Sequence, residues 1–498
     1  MSALDRDKAI SGVYWMGVMS VINVIIKLLI TVIISRLLLP SEIGTVSAVM
    51  IVVSFAETFC MIGVGPAIIQ KKILTNDDIL IGNTLNMLLG VSLYLGILVF
   101  SPIIGAFVGI ADISMLNILS LIFLGYSFSG TSESLLQREM NFKAISIIDV
   151  TSLFAYGVVG CIFAVLGFGG WALVFANIIQ VLIKSVLMFI NKPVKFQFKI
   201  KLDSAKELLY FGTGYTLSKV FSNLATQGDY FVVNRTLGSS ALGFYNRAYQ
   251  LLMVPTSLVG SVIDKVLFPL LSRYQSKHDR LRYVFLNINI LIAIVTLPIT
   301  TVSILLGQDL IIIVLGKNWG EAVLPFKILI ISLFFRIAYK VCDSLVRSVG
   351  EVYKRLWVQM IYALFVVGGA YVGKNWGIAG VAVTTLISII INYIIMNILI
   401  SKLIKLKVKD ILNSLAPVFV SNIVVGIIVL NINAITIKQI NSVLNIFLIT
   451  FITFACSLVS YEIFLEKVLP EEFKFFISSI IESSKNKIKK LNRRIGNT

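Results

Sequence analysis

Two lysines stand on polar stripes in stretches that are otherwise apolar. Lys27 belongs to a stripe of Ser20, Asn23, Lys27 and Thr31, and Lys219 to a stripe of Thr216, Lys219, Asn223 and Thr226. Steps of three or four residues put each set on one face of a helix. A compact cation in a low-dielectric setting attracts phosphate strongly, and Asn23, Ser222 and Asn223 beside it would donate hydrogen bonds to anionic or hydroxyl oxygens. The plainer alternative is that both lysines pair with carboxylates or stretch their ammonium groups towards water.

Two carboxylates occupy equally apolar runs: Glu57 in "VVSFAETFCMIG" and Asp229 in "LATQGDYFVV". A carboxyl so placed can take up and release H+ or hold Na+, which makes both candidate ion-coupling groups; Glu57 has a second reading as the static partner of Lys27. Arg336, Lys340 and Asp343 share one helix face, either as the wall of a cavity or as an internal Lys340–Asp343 ion pair. Arg36, Arg235 and Arg247 read as anchors near one interface, Lys184, Lys265 and Lys327 as lysines reaching for headgroups, and Asp149 as a neighbour of the inner headgroups.

The elements that must carry these residues follow from composition. Of 498 residues 57% are hydrophobic and only 14% charged, and the mean hydropathy is +0.94. That excludes a soluble globular protein. A helix crossing a bilayer needs about 20 mostly apolar residues, and about fourteen such runs recur along the chain. The first is too long for the apolar part of a signal peptide and no cleavage site follows it, so it reads as a retained span.

The net charge of +18 belongs to this topology. Alternate loops, beginning with the N-terminus, hold 30 Lys and Arg, whereas the opposite loops hold only the 5 residues Arg36, Arg235, Lys317, Lys374 and Lys438. This asymmetry puts both termini in the cytoplasm and argues for anionic lipid, not nucleic acid, as the partner of the basic residues. The four cysteines, Cys60, Cys161, Cys342 and Cys456, fall inside apolar runs without metal-ligand spacing, and His278 lies in a basic loop. No metal, cofactor or catalytic residue is expected, since no HExxH, GxSxG, Walker or paired-carboxylate motif occurs and the outward loops are short.

The chain is also written twice. "ISRLLLPSEIGTVSA" from Ile34 returns as "VNRTLGSSALGFYNRA" from Val233, and an offset of 199 superimposes Arg36 on Arg235, Leu38 on Leu237, Ser41 on Ser240, Ile43 on Leu242 and Gly44 on Gly243. "GFGGWALV" from Gly167 returns as "GIAGVAV" from Gly377. The same order of motifs in each half is the mark of a duplicated unit. Between the halves, "VKFQFKIKLD" from Val194 reads either as a cytoplasmic interfacial linker or as an ordinary basic loop, and Phe473, Phe476, Ile477, Ile480 and Ile481 in the basic tail form one amphipathic stripe.

The stretches "SRLLLPSEIGTVSA", "MIGVGPAIIQKK", "LLQREMNFKAIS", "GDYFVVNRTLGSSALGFYNRAYQLL" and "DKVLFPLLSRYQ" resemble the polysaccharide flippases of the multidrug/oligosaccharidyl-lipid/polysaccharide exporter superfamily, especially the colanic acid exporter-like branch. The resemblance implies an all-α integral membrane protein of about fourteen transmembrane helices, with two pseudo-symmetric six-helix lobes around a central cavity and two further C-terminal helices. The expected division is an N-terminal lobe over 1–190, a linker over 191–207, a C-terminal lobe over 208–401, two added helices over 402–466 and a basic amphipathic tail over 467–498.

It further implies a transporter of the bacterial inner membrane that flips an oligosaccharide carried on polyprenyl pyrophosphate, with membrane lipids, an H+ or Na+ gradient and polysaccharide polymerase machinery as partners. Lys27 and Lys219 would then attract the pyrophosphate, with Ser20, Asn23, Ser222 and Asn223 lining the same cleft. A multidrug or peptidoglycan-precursor transporter of the same superfamily and a membrane-embedded polymerase or ligase stand as alternatives.

Overall fold

A computed structural model of the chain describes residues 3–60, 64–71, 73–195, 202–273, 277–436 and 442–465. The tail expected over 467–498 and the core of the linker lie outside these residues. Among the described residues every regular element is a helix. The first half contains α1 (Ala3–Leu37), α2 (Pro40–Cys60), α3 (Val64–Gln70), α4 (Asn76–Val108), α5 (Ile113–Leu119), α6 (Ile122–Arg138), α7 (Phe142–Val165) and α8 (Trp171–Asn191). The second half begins with α9 (Leu202–Leu237), α10 (Ser239–Arg273), α11 (His278–Leu305) and α12 (Gly307–Leu315). A 3-10 segment, Lys317–Ala322, leads into α13 (Val323–Ile330), α14 (Leu333–Ser348), α15 (Val352–Gly373) and α16 (Gly377–Leu403), and α17 (Val408–Thr436) and α18 (Ser442–Leu465) close the described chain.

Nine stretches among the described residues are long and apolar enough to cross a membrane, or ten if the pair Lys317–Ile330 and Leu333–Ser348, bent by 46°, is one broken span. One of the nine, 51 residues long, is a hairpin: α16 folds back on α15, and Ser388 Oγ donates to the carbonyl of Phe365 at 3.0 Å. α9 and α10, with 36 and 35 residues, each reach about 50 Å at 1.5 Å per residue, more than a bilayer core requires. Lipid-facing stripes are plain on several helices, as on α1, where Val21, Ile25, Leu29 and Ile33 are exposed. In an aqueous fold such stripes would cost solubility, but in a bilayer they contact acyl chains.

The helix starts obey local chemistry. Thr75 caps α4 through a reciprocal box with Asp78, and Lys71 Nζ lies 3.0 Å from the same carboxylate. Glu42 Oε2 accepts the Leu39 N–H at 2.7 Å, closing the turn between α1 and α2. These bonds satisfy donors that a helix end leaves orphaned.

The helices form two compact units. The larger takes in Met1–Arg273 and Gly307–Met396, and the smaller takes in Tyr274–Leu306 and Asn397–Thr498. In the larger unit α1 packs on α7, α7 on α8, α2 on α10, α9 on α15 and α10 on α14. In the smaller, α11 packs on α17 and α18, Asn422 Nδ2 donates to Thr301 Oγ1 at 2.9 Å and Arg282 Nε to the carbonyl of Ile404 at 2.7 Å.

Candidate functional site

On α1 the polar stripe lies opposite the lipid face. At 100° per residue, Ser20, Asn23, Lys27 and Thr31 centre roughly 180° from the stripe of Val21, Ile25, Leu29 and Ile33. Ser20 and Asn23 are half-buried, Thr31 is buried and its hydroxyl donates to the carbonyl of Lys27 at 2.8 Å. Lys27 itself is exposed, on the side of the helix away from that apolar stripe.

A second cation, Arg247, lies on α10, which packs on α1. Its position eight residues into α10 suggested an interfacial anchor, but the side chain is only 5% exposed. Its Nη1 donates to Gln250 Oε1 and its guanidinium carbon sits 6.0 Å from the ring centre of Trp319. The Nε finds no hydrogen-bond partner among the described residues. A buried guanidinium with an open N–H would be satisfied by an anionic oxygen. The sequence offered one clue: Arg247 is four residues beyond Gly243, so it shares the face of α10 that meets α2.

On α9 the candidates divide. The side chain of Lys219 lies outside the described residues. Ser222 is half-buried, while Asn223 is committed to α2, donating to the carbonyl of Ser54 at 3.0 Å and to Thr58 Oγ1. Glu57, half-buried on the same helix α2, acts electrostatically on Cys60 and on Tyr126 of α6.

Asp229 and Arg336 are drawn into one network. Asp229 is 1% exposed. Its Oδ1 accepts the Tyr230 backbone N–H at 3.0 Å and its Oδ2 accepts the hydroxyl of Tyr245 at 2.7 Å. That hydroxyl also lies 3.1 Å from Thr385 Oγ1 of α16. Arg336, whose positive field reaches Asp229, donates from Nη1 to the Tyr249 hydroxyl at 2.8 Å and from Nε to Ser332 Oγ at 3.0 Å. Tyr245, Tyr249 and Thr385 were not singled out from sequence, because only the packing of α9, α10, α14 and α16 brings them together.

The other charges of α14 part company. Lys340 lies against Gly260 of α10, where a Cβ would meet its Cε at 2.8 Å. Asp343 pairs with Arg347 Nε at 2.9 Å and with Arg355 of α15, so it anchors a helix pair built from arginines. Lys184 lies 3.1 Å from Asp149 and 3.6 Å from Glu133, bridging α8 to α7 and α6. Among the described residues no three His, Cys, Asp or Glu gather as a metal site.

Residues 33–324 match the family model described as "Polysaccharide biosynthesis protein". The lipopolysaccharide biosynthesis protein WzxC of Escherichia coli (strain K12) is 23% identical over 403 residues, covering 78% of this chain and 81% of that protein. The succinoglycan biosynthesis transport protein ExoT of Rhizobium meliloti (strain 1021) is 22% identical over 349 residues, covering 70% and 71%. Among solved structures, the lipid II flippase MurJ in an inward closed conformation superimposes with a TM-score of 0.74 at 15% identity, covering 91% of this chain and 99% of that one. The likeness to MurJ establishes the fold: an all-α membrane transporter architecture.

Proposed function

Because this chain belongs to the polysaccharide biosynthesis protein family, as a multi-pass membrane transporter and not an enzyme, we propose that its cargo is an oligosaccharide on polyprenyl pyrophosphate. It flips that cargo from the cytoplasmic to the outer leaflet of the bacterial inner membrane, with both termini in the cytoplasm. The observation that carries this reading is Arg247 of α10, a buried guanidinium whose Nε has no hydrogen-bond partner among the described residues, in a bundle where α10 packs on the helix that bears the Lys27 stripe. A pyrophosphate would supply the anionic oxygen that this donor lacks, and the polyprenyl tail stays in lipid.

Lys219, Ser20, Asn23, Ser222 and Asn223 complete the cleft in this reading. Asn223 is bound to α2 here, so it becomes available to cargo only when α9 and α2 separate. The lobes over 1–190 and 208–401 rock against each other, with the helices of 402–466 as an accessory and the polymerase machinery receiving the product. Asp229, held by Tyr245 and faced by Arg336, is the group through which an H+ or Na+ gradient biases the two states, with Glu57 as a second. A cargo that binds both states equally cannot supply that bias.

Complementation tests the reading. In cells lacking their own polysaccharide flippase, the wild-type chain restores surface polymer, and Lys27→Gln/Lys219→Gln, expressed to the same level, leaves lipid-linked intermediates in the cytoplasmic leaflet. Full activity of the double variant would remove the lysines from the cargo site.

A further inference from the structure

The duplicated motif does something that its sequence alone does not disclose: its two copies dock on each other. Gly44 and Gly243 are equivalent by the offset of 199, and so are Pro40 and Ser239. A Cβ on Gly44 would collide with the carbonyl of Ser239, and one on Gly243 with the carbonyl of Pro40. Each glycine therefore lets its helix start rest on the other copy's first residue, α2 against α10.

The residues just before this crossing form a second reciprocal pair. At the end of α1, the carbonyl of Ser35 accepts the indole N–H of Trp319 at 2.7 Å, and Arg36 Nη2 donates to the carbonyl of Ile313. Ile313 lies in the last turn of α12 and Trp319 in the 3-10 segment after it; the two are joined at Gly316, which has φ 107° and faces the Arg36 side chain. At the end of α9, Asn234, the equivalent of Ser35, donates to the carbonyls of Val108 and Gly109 at 2.9 and 3.1 Å. Gly109 ends α4 with φ 84°, and the backbone and side chain of Arg235 lie over it. Each half thus sends the end of its first helix onto the left-handed glycine turn of the other half.

We propose that the two copies of the motif form a two-fold latch that holds one side of the transporter shut and must release for cargo to leave. Under the topology of the proposed function, on which this inference rests, that side is the outer one. Backbone carbonyls at a turn are suitable strike plates, because they stay in place when a helix end swings away and water can replace the lost donor. The latch also touches Arg247: Trp319 is fully buried, edge-on to Phe244 at 5.8 Å, and its ring lies beside the Arg247 guanidinium.

The test uses the full-length chain with its cysteines replaced and Thr31→Cys added as reporter. Thr31 is buried on the polar face of α1, one turn inside the latch. A membrane-impermeant maleimide is applied to intact cells and, separately, to inside-out vesicles, with melting of the purified protein as the folding control. Removing a latch donor favours the open state about fivefold, so Arg36→Ala and Asn234→Ala each speed labelling about fivefold and together about 25-fold.

Faster labelling in intact cells supports the latch and its outer placement. Faster labelling only in inside-out vesicles supports the latch and overturns the topology of the proposed function. Unchanged labelling from both sides in a double variant that melts normally overturns the latch and leaves the cargo reading to its own assay.

Discussion

Asp343→Asn separates the two roles open to the charged face of α14. The Arg355 contact joins α14 to α15, with side-chain exposures of 25% and 12% for Arg355 and Asp343. A charge-assisted hydrogen bond so shielded contributes about 1.5–3 kcal/mol. The Arg347 arm, at 38% exposure, is screened by water and contributes at most about 1 kcal/mol. An amide keeps the shape and one acceptor, so the expected loss is about 2–3 kcal/mol, below the 3–5 kcal/mol of a fully stranded buried charge. Thermal unfolding of the purified protein should show a lower midpoint for Asp343→Asn, and transport per folded molecule should be retained. Adding Arg355→Gln should cost little more, because the two residues act as one unit. A normal melting curve with lost transport would refute the structural assignment and return Asp343 to the cavity wall.

Three further outcomes are expected. Lys184→Met leaves Glu133 and Asp149 facing each other and lowers stability by about 1–2 kcal/mol, with part of the loss restored by Glu133→Gln; an unchanged melt would mean the lysine serves only as an interfacial anchor. Arg247→Gln removes one charge-assisted contact to cargo and slows transport about 10- to 100-fold, while Arg36→Gln leaves the cargo site intact; equal transport by Arg247→Gln and wild type in a leaflet assay would exclude Arg247 from the site. Tyr245→Phe deletes the donor to Asp229 and shifts the ion concentration at which transport is half-maximal, by about tenfold for a bond of this kind; an unshifted ion dependence would exclude Asp229 as the coupling group.

Much of the architecture was legible because a bilayer simplifies the rules. Apolar length marks helices, and the offset of 199 announced a duplicated unit. The stripe of Lys27 was readable for the same reason, since a polar face opposite a lipid face can be found by counting residues. What the sequence withheld was convergence between distant segments. Arg247 lies near a helix start and reads as an anchor until the segment carrying Trp319 covers it. Lys184 looks like a lone cation until α6 and α7 bring Glu133 and Asp149 beside it. Asp229 was a candidate alone, but Tyr245 and Thr385, 140 residues apart, meet only through the packing of α10 and α16. The motif shows its repetition in the sequence, whereas the contact of Gly44 with Ser239 and of Gly243 with Pro40 needs three dimensions.

Movement of a pyrophosphate-linked saccharide between leaflets by a cationic cleft can be followed in vesicles with purified protein and a fluorescent polyprenyl-pyrophosphate disaccharide, in which an impermeant quencher reports the leaflet occupied. Protein-dependent exchange is expected, inhibited by inorganic pyrophosphate and abolished by Lys27→Gln/Arg247→Gln. Exchange at the wild-type rate by that double variant, with normal folding, would rule out the cationic cleft as the cargo site.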